Sequence, residues 1–333
     1  MKSDSNVLVS VIVVNWNGQH YLEKCFNTLK DQEFLNFEII LADNASTDTS
    51  VEYTREHFSD IIIHQLLENR GYTGGNNEAA RIARGKYLFF LNNDTKTDPK
   101  CLLELVKTAE ADPSIGIAGC RELTYDGDSL ISEGVSADIF GYPCNGTKLF
   151  YADGAALFIR RDVFQQLNGF DSKHFACFED LDIGWRARLL GFRVICQPKA
   201  LIYHKIGGTS SNEYGKKQYV TTSWRRQMSE RNNLRNIIKN YALHTLIWVL
   251  PFYLVLNIME MFFLCAIGNL DIAKSVYLNS WLYNLQNLPD TFKERKLIQQ
   301  ARRVGDWFIL KKMEWKIGKL SSLRSVGIPK FVS

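Results

Sequence analysis

The chain has 333 residues, enough to bury a sizeable core and more in keeping with two folding units than one. Its composition is that of an ordinary globular protein, which sets disordered and fibrous classes aside. A formal net charge of +4 is too small to point to nucleic acid, and no aromatic–basic interleaving suggests an RNA-binding sheet. The basic residues are unevenly spread, however. Arg225, Arg226, Arg231, Arg235 and Lys239, then Lys293, Arg295, Lys296, Arg302 and Arg303, crowd the last third. Seven scattered cysteines with no Cys-x-x-Cys pair argue against a zinc ribbon or disulfide framework and fit a reducing compartment. The polar stretch 1–6 and the short apolar run behind it carry no small-residue cleavage site. A secretory signal is therefore not expected, and the catalytic part is placed in the cytoplasm.

The run 7–14 is β-branched and continuous, as a central strand of a parallel sheet should be. Asn15-Trp16-Asn17-Gly18 turns it into a helix over 19–31 with Leu22, Cys25, Phe26 and Leu29 on one face. A strand over 37–42 delivers Asp43 to its tip, where a carboxylate can accept hydrogen bonds from a nucleobase or ribose. Thr47 or Asp48 is the expected cap of the next helix. After a strand over 61–64 comes a loop in which Gly71, Gly74 and Gly75 would let backbone approach a ligand closely, with Asn76 or Asn77 opening a helix to 83. The loop is not Gly-x-Gly-x-x-Gly and follows the third strand, which disfavours a dehydrogenase. No Gly-x-x-x-x-Gly-Lys loop is present either, which removes P-loop kinases and ATPases.

The stretch 86–95 is organising: an apolar run ends abruptly in Asn92-Asn93-Asp94. Ligands of open α/β sheets bind outside the carboxyl ends of the strands. Asp94 would stand there, able to hold a hard divalent cation that bridges to substrate phosphates, unless these residues merely turn the chain. Alternating strands and helices through Cys120 predict a doubly wound, mostly parallel α/β sheet. Asn15, Asp43 and Asp94 would then line one edge as a nucleotide pocket.

From 122 to 151 the pattern is irregular and reads as a flexible segment over the cleft. Gly154 opens an apolar strand to 159, its small size suiting either close approach to a substrate or tight packing. A helix follows from 160–162 and ends at 169–171. Glu179, Asp180 and Asp182 then stand at the start of a helix. They complement its dipole or supply a base of tuned pKa. His204 ends another apolar run beside a glycine- and hydroxyl-rich loop, 205–211, which raises its standing as a second protein ligand of the cation.

Taken together, 43–48, the glycine loop 69–77, 91–94, 179–182 and His204 occur in an order and spacing that resemble family 2 inverting glycosyltransferases of the GT-A fold, closest to the rhamnosyltransferase-like branch. The resemblance covers roughly 7–240. It implies that Asp43 binds the nucleobase or ribose, with Asn15, Asn69, Arg70, Gly74, Asn77 and Asn93 completing the nucleotide-sugar pocket. Asp94 matches the last carboxylate of the family's Asp-x-Asp, which ligates Mg²⁺ or Mn²⁺ on the diphosphate; Asn92 departs from its first acidic place. Asp180 matches the catalytic base and His204 the metal-binding histidine. Gly154, Glu179, Asp182, Trp185 and Arg186 match the acceptor side. Rhamnose from a thymidine diphosphate donor is what the branch suggests, with UDP-hexoses close behind.

The expected division is a catalytic domain over 1–240 and a helical, apolar and basic region over 241–333. A basic helix covers 219–240. The run 246–268 is long enough to cross a bilayer but is interrupted by Pro251, Asn257 and Glu260 and flanked by basic residues on both sides. A re-entrant or interfacial element on the cytoplasmic face of the cell membrane is preferred, anchored by Trp248, Tyr253 and Trp281. A single span comes second and a buried helix third. The functional expectation is a membrane-associated enzyme adding one sugar to a growing surface polysaccharide or lipid-linked glycan. A catalytically degenerate scaffold and a nucleotidyltransferase of similar fold are the alternatives. The latter normally shows a glycine- and arginine-rich loop after the first strand, which is lacking here.

Overall fold

A computed structural model describes residues 7–205, 220–327 and 330–332. The loop anticipated just after His204 falls within 206–219, and the polar stretch 1–6 precedes residue 7; both lie outside the described residues. The chain divides into two units. The first comprises 1–134, 151–187 and 192–205, and the second 135–150, 188–191 and 206–333. The boundary expected at 240 thus falls earlier. The segment 122–151, expected to be flexible, holds the last three residues of one strand and three short strands, and is divided between the two units after residue 134.

In the first unit, β1 (Val9–Asn15), α1 (Gln19–Lys30), β2 (Phe37–Asp43), α2 (Ser50–His57), β3 (Ile62–Gln65), α3 (Gly71–Ile82) and β4 (Tyr87–Asn92) alternate as the sequence predicts. Then come β5 (Thr95–Thr97), α4 (Cys101–Ala111), β6 (Ile115–Thr124) and β7 (Leu130–Ser132). Two short strands of the second unit intervene, β8 (Ser136–Ala137) and β9 (Pro143–Cys144). The first unit resumes with β10 (Ala156–Arg160), α5 (Arg161–Gln166), α6 (Glu179–Leu189) and β11 (Arg193–His204). The sheet runs β3-β2-β1-β4-β10-β6-β11-β5, with β7 on β6. Its first four strands are parallel, and β10 enters antiparallel to both β4 and β6.

Parallel strands covered on both faces are apolar almost throughout; β1 departs only at Ser10, whose hydroxyl donates to Glu38, and at its tip Asn15, and β4 only at its tip Asn92. Val9, Val11 and Val13 pack with Phe89 on one core, which the buried face of α1 (Leu22, Cys25, Phe26, Leu29) closes. Tyr87 stacks on Phe158 of β10, ring centroids 4.9 Å apart. α3 differs from expectation. It begins at Gly71, not at Asn76 or Asn77, because Gly71 takes φ +68° and Asn69 Oδ1 accepts its amide at 2.8 Å. Neither Thr47 nor Asp48 is the residue before α2. Asp48 instead accepts the Ser50 amide from one carboxylate oxygen and the Gln19 amide from the other, tying two loops together.

The second unit is mostly helical. It contains β12 (Val220–Thr222), α7 (Ser223–Asn240), α8 (Leu243–Ala266), α9 (Leu270–Ala273), a π turn (Lys274–Leu278), α10 (Asn279–Gln286), α11 (Leu288–Ala301), α12 (Asp306–Lys312), α13 (Gly318–Val326) and β13 (Lys330–Val332), which pairs with β12. α7 is the basic helix foreseen from the sequence, but it is internal. Arg226 pairs with Glu230 and Glu260, and Arg235 pairs with Asp290. Thr222 caps it by accepting the Arg225 amide at 3.1 Å.

Candidate active site

Register brings the strand tips together. Asn15 and Asp43 are paired across β1 and β2, and Asn92 sits beside Val14 on the other flank of β1. Asn15 is buried and fully used: its amide donates to Ser50 Oγ at 2.9 Å and its oxygen accepts from Asn93 at 2.7 Å. Both asparagines hold loops in place. Gly18 makes room for them, since a Cβ there would lie 2.4 Å from Asn93 Nδ2. Asp43 is different. One oxygen accepts the Ser46 amide at 3.1 Å, while Oδ1 is buried with no hydrogen-bond partner. A buried carboxylate oxygen without a donor is costly, and a ligand hydroxyl or imino group would relieve it.

Asn44, which the sequence reading did not single out, fixes the glycine loop against that tip. It accepts the Arg70 amide at 3.0 Å and donates to Gly71 O at 2.8 Å. The loop's glycines serve packing more than ligand approach. A Cβ at Gly74 would lie 2.3 Å from Arg70 Cβ, and one at Gly75 would crowd Val14. Asn77 is likewise not poised for a nucleotide: it donates to Phe170 O at 2.8 Å and accepts the Phe170 amide at 2.9 Å. Arg70 remains half exposed, paired with Glu68 and Glu78.

Asp94 and His204 do meet. β5 runs antiparallel to β11 with Thr95 opposite His204, which sets Asp94 Oδ1 3.1 Å from His204 Nε2. The same histidine gives Nδ1 to Glu122 Oε1, a contact made possible because β6 flanks β11 on its other side. Glu122 was missed in the sequence because it is one acid in a long strand, with no motif around it. Burial first, then Asp153, pushes the Glu122 carboxyl up to about 7. Burial pulls His204 down, but its bonds to Asp94 and Glu122 prevail and push it up to about 10. Once the imidazole gives up its Nε2 proton, Asp94 Oδ1 and His204 Nε2 form a carboxylate–imidazole pair that fits a divalent cation, with Glu122 fixing the ring through its other nitrogen.

Asp180 is hydrogen-bonded to Gly154, the neighbour of Ala155, whose carbonyl accepts the Asn92 amide at the tip of β4. Its Oδ2 accepts the Gly154 amide at 3.1 Å and its Oδ1 the Leu181 amide at 2.7 Å. Tyr72, also missed, donates to Gly154 O at 2.7 Å, so the Gly154 peptide is held from both sides. Burial and the neighbouring Asp153 charge push Asp180 up to about 7, near where a general base is most effective. Glu179 is buried beside it, Oε1 within 3.5 Å of where a Gly154 Cβ would stand.

Three residues expected on the acceptor side are interior instead. Asp182 and Trp185 are wholly buried, and Arg186 is nearly so. Arg186 pairs with Asp182 at 2.7 Å and donates to Leu167 O and Gly169 O, strapping α6 to the preceding turn. Asp171, His174 and Asp182 converge within 4.8 Å of one another, but the Arg186 charge already compensates Asp182. Directly ahead of α6, Phe175, Cys177 and Phe178 all have φ between +63° and +71°, strain that clusters at the site's edge.

A mostly parallel α/β sheet of this order is the GT-A arrangement. Residues 10–167 match the family described as Glycosyl transferase family 2, and the chain carries a domain of that family. It is 29% identical over 218 residues to the O-antigen biosynthesis protein RfbC of Myxococcus xanthus, covering 59% of this chain and only 17% of that protein. It is 24% identical over 239 residues to N-acetylglucosaminyl-diphospho-decaprenol L-rhamnosyltransferase of Mycobacterium tuberculosis, covering 61% of this chain and 78% of that one. Among solved structures it resembles the mannosyltransferase PcManGT from Pyrobaculum calidifontis in complex with GDP-Man and Mn²⁺. That match has a TM-score of 0.52 at 18% identity, over 88% of this chain and 85% of that one.

Proposed function

We propose that the chain transfers a sugar from a nucleoside diphosphate sugar to a hydroxyl of a growing surface polysaccharide or lipid-linked glycan at a membrane surface on the cytoplasmic side. The observation that carries this reading is the placement of Asp180, a carboxylate fixed against the Gly154 amide next to the tip of β4, Asn92, two residues before the Asp94 that meets His204. The acceptor oxygen bonds to the anomeric carbon as the bond from that carbon to the diphosphate breaks. The diphosphate leaves with the electron pair, and Asp180 takes the hydroxyl proton. One displacement inverts the anomeric centre. Mg²⁺ or Mn²⁺, held by Asp94 and His204, would neutralise charge on the departing diphosphate. Asp43 Oδ1 accepts from the base or ribose, and Glu122 keeps His204 Nε2 turned toward Asp94. Rhamnose as the sugar is supported by the L-rhamnosyltransferase relative, and a nucleoside diphosphate sugar as the donor class by the GDP-Man complex; dTDP as its nucleotide follows from the family resemblance alone. Replacing Asp180 with Asn tests the assignment: transfer is lost while nucleotide binding stays near normal. Lost nucleotide binding with residual turnover would refute it.

A further inference from the structure

α8 is built inside out. A helix on a soluble protein turns its polar side to water, but here the polar side faces the second unit. Tyr253 Oη lies 3.3 Å from Glu230 Oε2, and Asn257 Oδ1 accepts from Tyr142 at 3.1 Å and from Lys319 at 2.7 Å. Glu260 pairs with Arg226 at 2.7 Å and with Lys319 at 2.8 Å. The opposite side presents Ile247, Phe252, Val255, Met259 and Phe262, with Phe252 61% and Phe262 65% exposed. No Asp, Glu, Lys or Arg interrupts that side.

Charge indicates the occupant. Residues 206–333 carry 19 lysines and arginines against 8 aspartates and glutamates, whereas 1–205 carry 21 against 28. On α12, Trp307 and Phe308 are exposed, each with a lysine over its ring: Lys311 at 5.2 Å and Lys312 at 6.0 Å. Lys274, Lys293, Lys296 and Arg303 are exposed as well. An apolar helix face and, in the same unit, exposed aromatic–lysine pairs suit an anionic bilayer surface, where lysine heads meet phosphates and the rings sit at headgroup level. A second copy would bring the exposed Lys274, Lys293, Lys296, Lys311 and Lys312 against their own kind.

Building on the membrane-surface reading above, we propose that α8 lies in the plane of an anionic bilayer, its Ile247–Phe262 face in the acyl layer and its Tyr253–Glu260 face on the protein. It does not span. Crossing would strip Glu260 of Arg226 and Lys319 and leave a charge in hydrocarbon. Tyr253, expected as an interfacial anchor, is buried on the protein side. Trp248 stacks on Trp315, and Trp281 packs near Tyr277.

The test uses the full chain without nucleotide, so it stands or fails apart from the catalytic reading. The chain should float with phosphatidylcholine vesicles containing phosphatidylglycerol and bind pure phosphatidylcholine weakly. The double variant F252E/F262E should lose bound protein by about tenfold or more while keeping its far-ultraviolet spectrum and a single light-scattering mass. In cells, tags at the two ends should be cleaved from the same membrane face. Flotation unchanged by the double variant, or tags on opposite faces, would overturn the proposal. So would a dimer that the double variant converts to monomer.

Discussion

His204 Nε2 lies 3.1 Å from Asp94 Oδ1, and the other nitrogen of the same ring is held by Glu122. An imidazole fixed from behind presents one nitrogen in one orientation, as ligating histidines usually do. Glu122→Gln should therefore weaken Mn²⁺ binding by about 10–100-fold in the presence of nucleoside diphosphate, acting through the orientation of His204. Electron paramagnetic resonance titration of Mn²⁺ measures this directly. Chelation with EDTA should abolish transfer, and added Mn²⁺ should restore it.

Asp180 gives a pH dependence of definite sign. As the proposed base it must be ionised, so kcat/KM should rise with pH through about 7 and level off above it. Asp180→Asn should remove that step and lower kcat by about 10²–10⁴. Stability moves the other way. A carboxyl raised above its unfolded value near 3.9 is best accommodated when protonated, so its favourable share is full below that value and is lost as pH rises through about 7. The Asn variant should melt higher than the parent at pH 8, with the advantage shrinking between 7 and 4.

Asn77 separates packing from binding. Its amide makes both available bonds to the Phe170 backbone. Asn77→Ala should cost about 1–3 kcal/mol in urea unfolding, through unpaired buried groups, and leave donor KM almost unchanged. A large rise in KM with unchanged stability would make it a nucleotide contact after all.

Two glycines should respond oppositely. Gly71 has φ +68°, and a Cβ there would meet Phe175 O at 2.4 Å, so Gly71→Ala should destabilise by about 1–3 kcal/mol. A Cβ at Gly154 would meet Asp180 Oδ2 at an ordinary 3.4 Å. Gly154→Ala should fold with near-parental stability, and any loss should appear in acceptor KM. Thermal unfolding and steady-state kinetics on the pair settle both points.

The first unit was readable because its central strands are continuous apolar runs that end in polar residues. β1, α1, β2, β4 and β10 stand within a residue or two of where the pattern put them. Asp94 and His204 stand out because polar residues close apolar runs there, and Asp180 because it lies in a dense acidic cluster at a helix start. Glu122 and Tyr72 do not, since their partners lie far along the chain and only the β6–β11 and α3–β10 neighbourhoods bring them in. Asn77, Asp182 and Arg186 were misjudged from the opposite side. Polar residues near a motif look functional until their hydrogen bonds are known, and here those bonds go to backbone and to each other. The basic run on α7 hid a buried ion network, because sequence shows charge but not its partners.

The most direct test is a thermal-shift screen of the purified chain against UDP-, dTDP- and GDP-sugars, with and without Mn²⁺ or Mg²⁺, alongside Asp43→Ala and Asp94→Asn. Binding to the folded state raises the midpoint by mass action. The account predicts a metal-dependent rise with one nucleotide family, with Asp43→Ala losing the nucleotide dependence and Asp94→Asn the metal dependence. A well-folded parent showing no shift with any donor would contradict it.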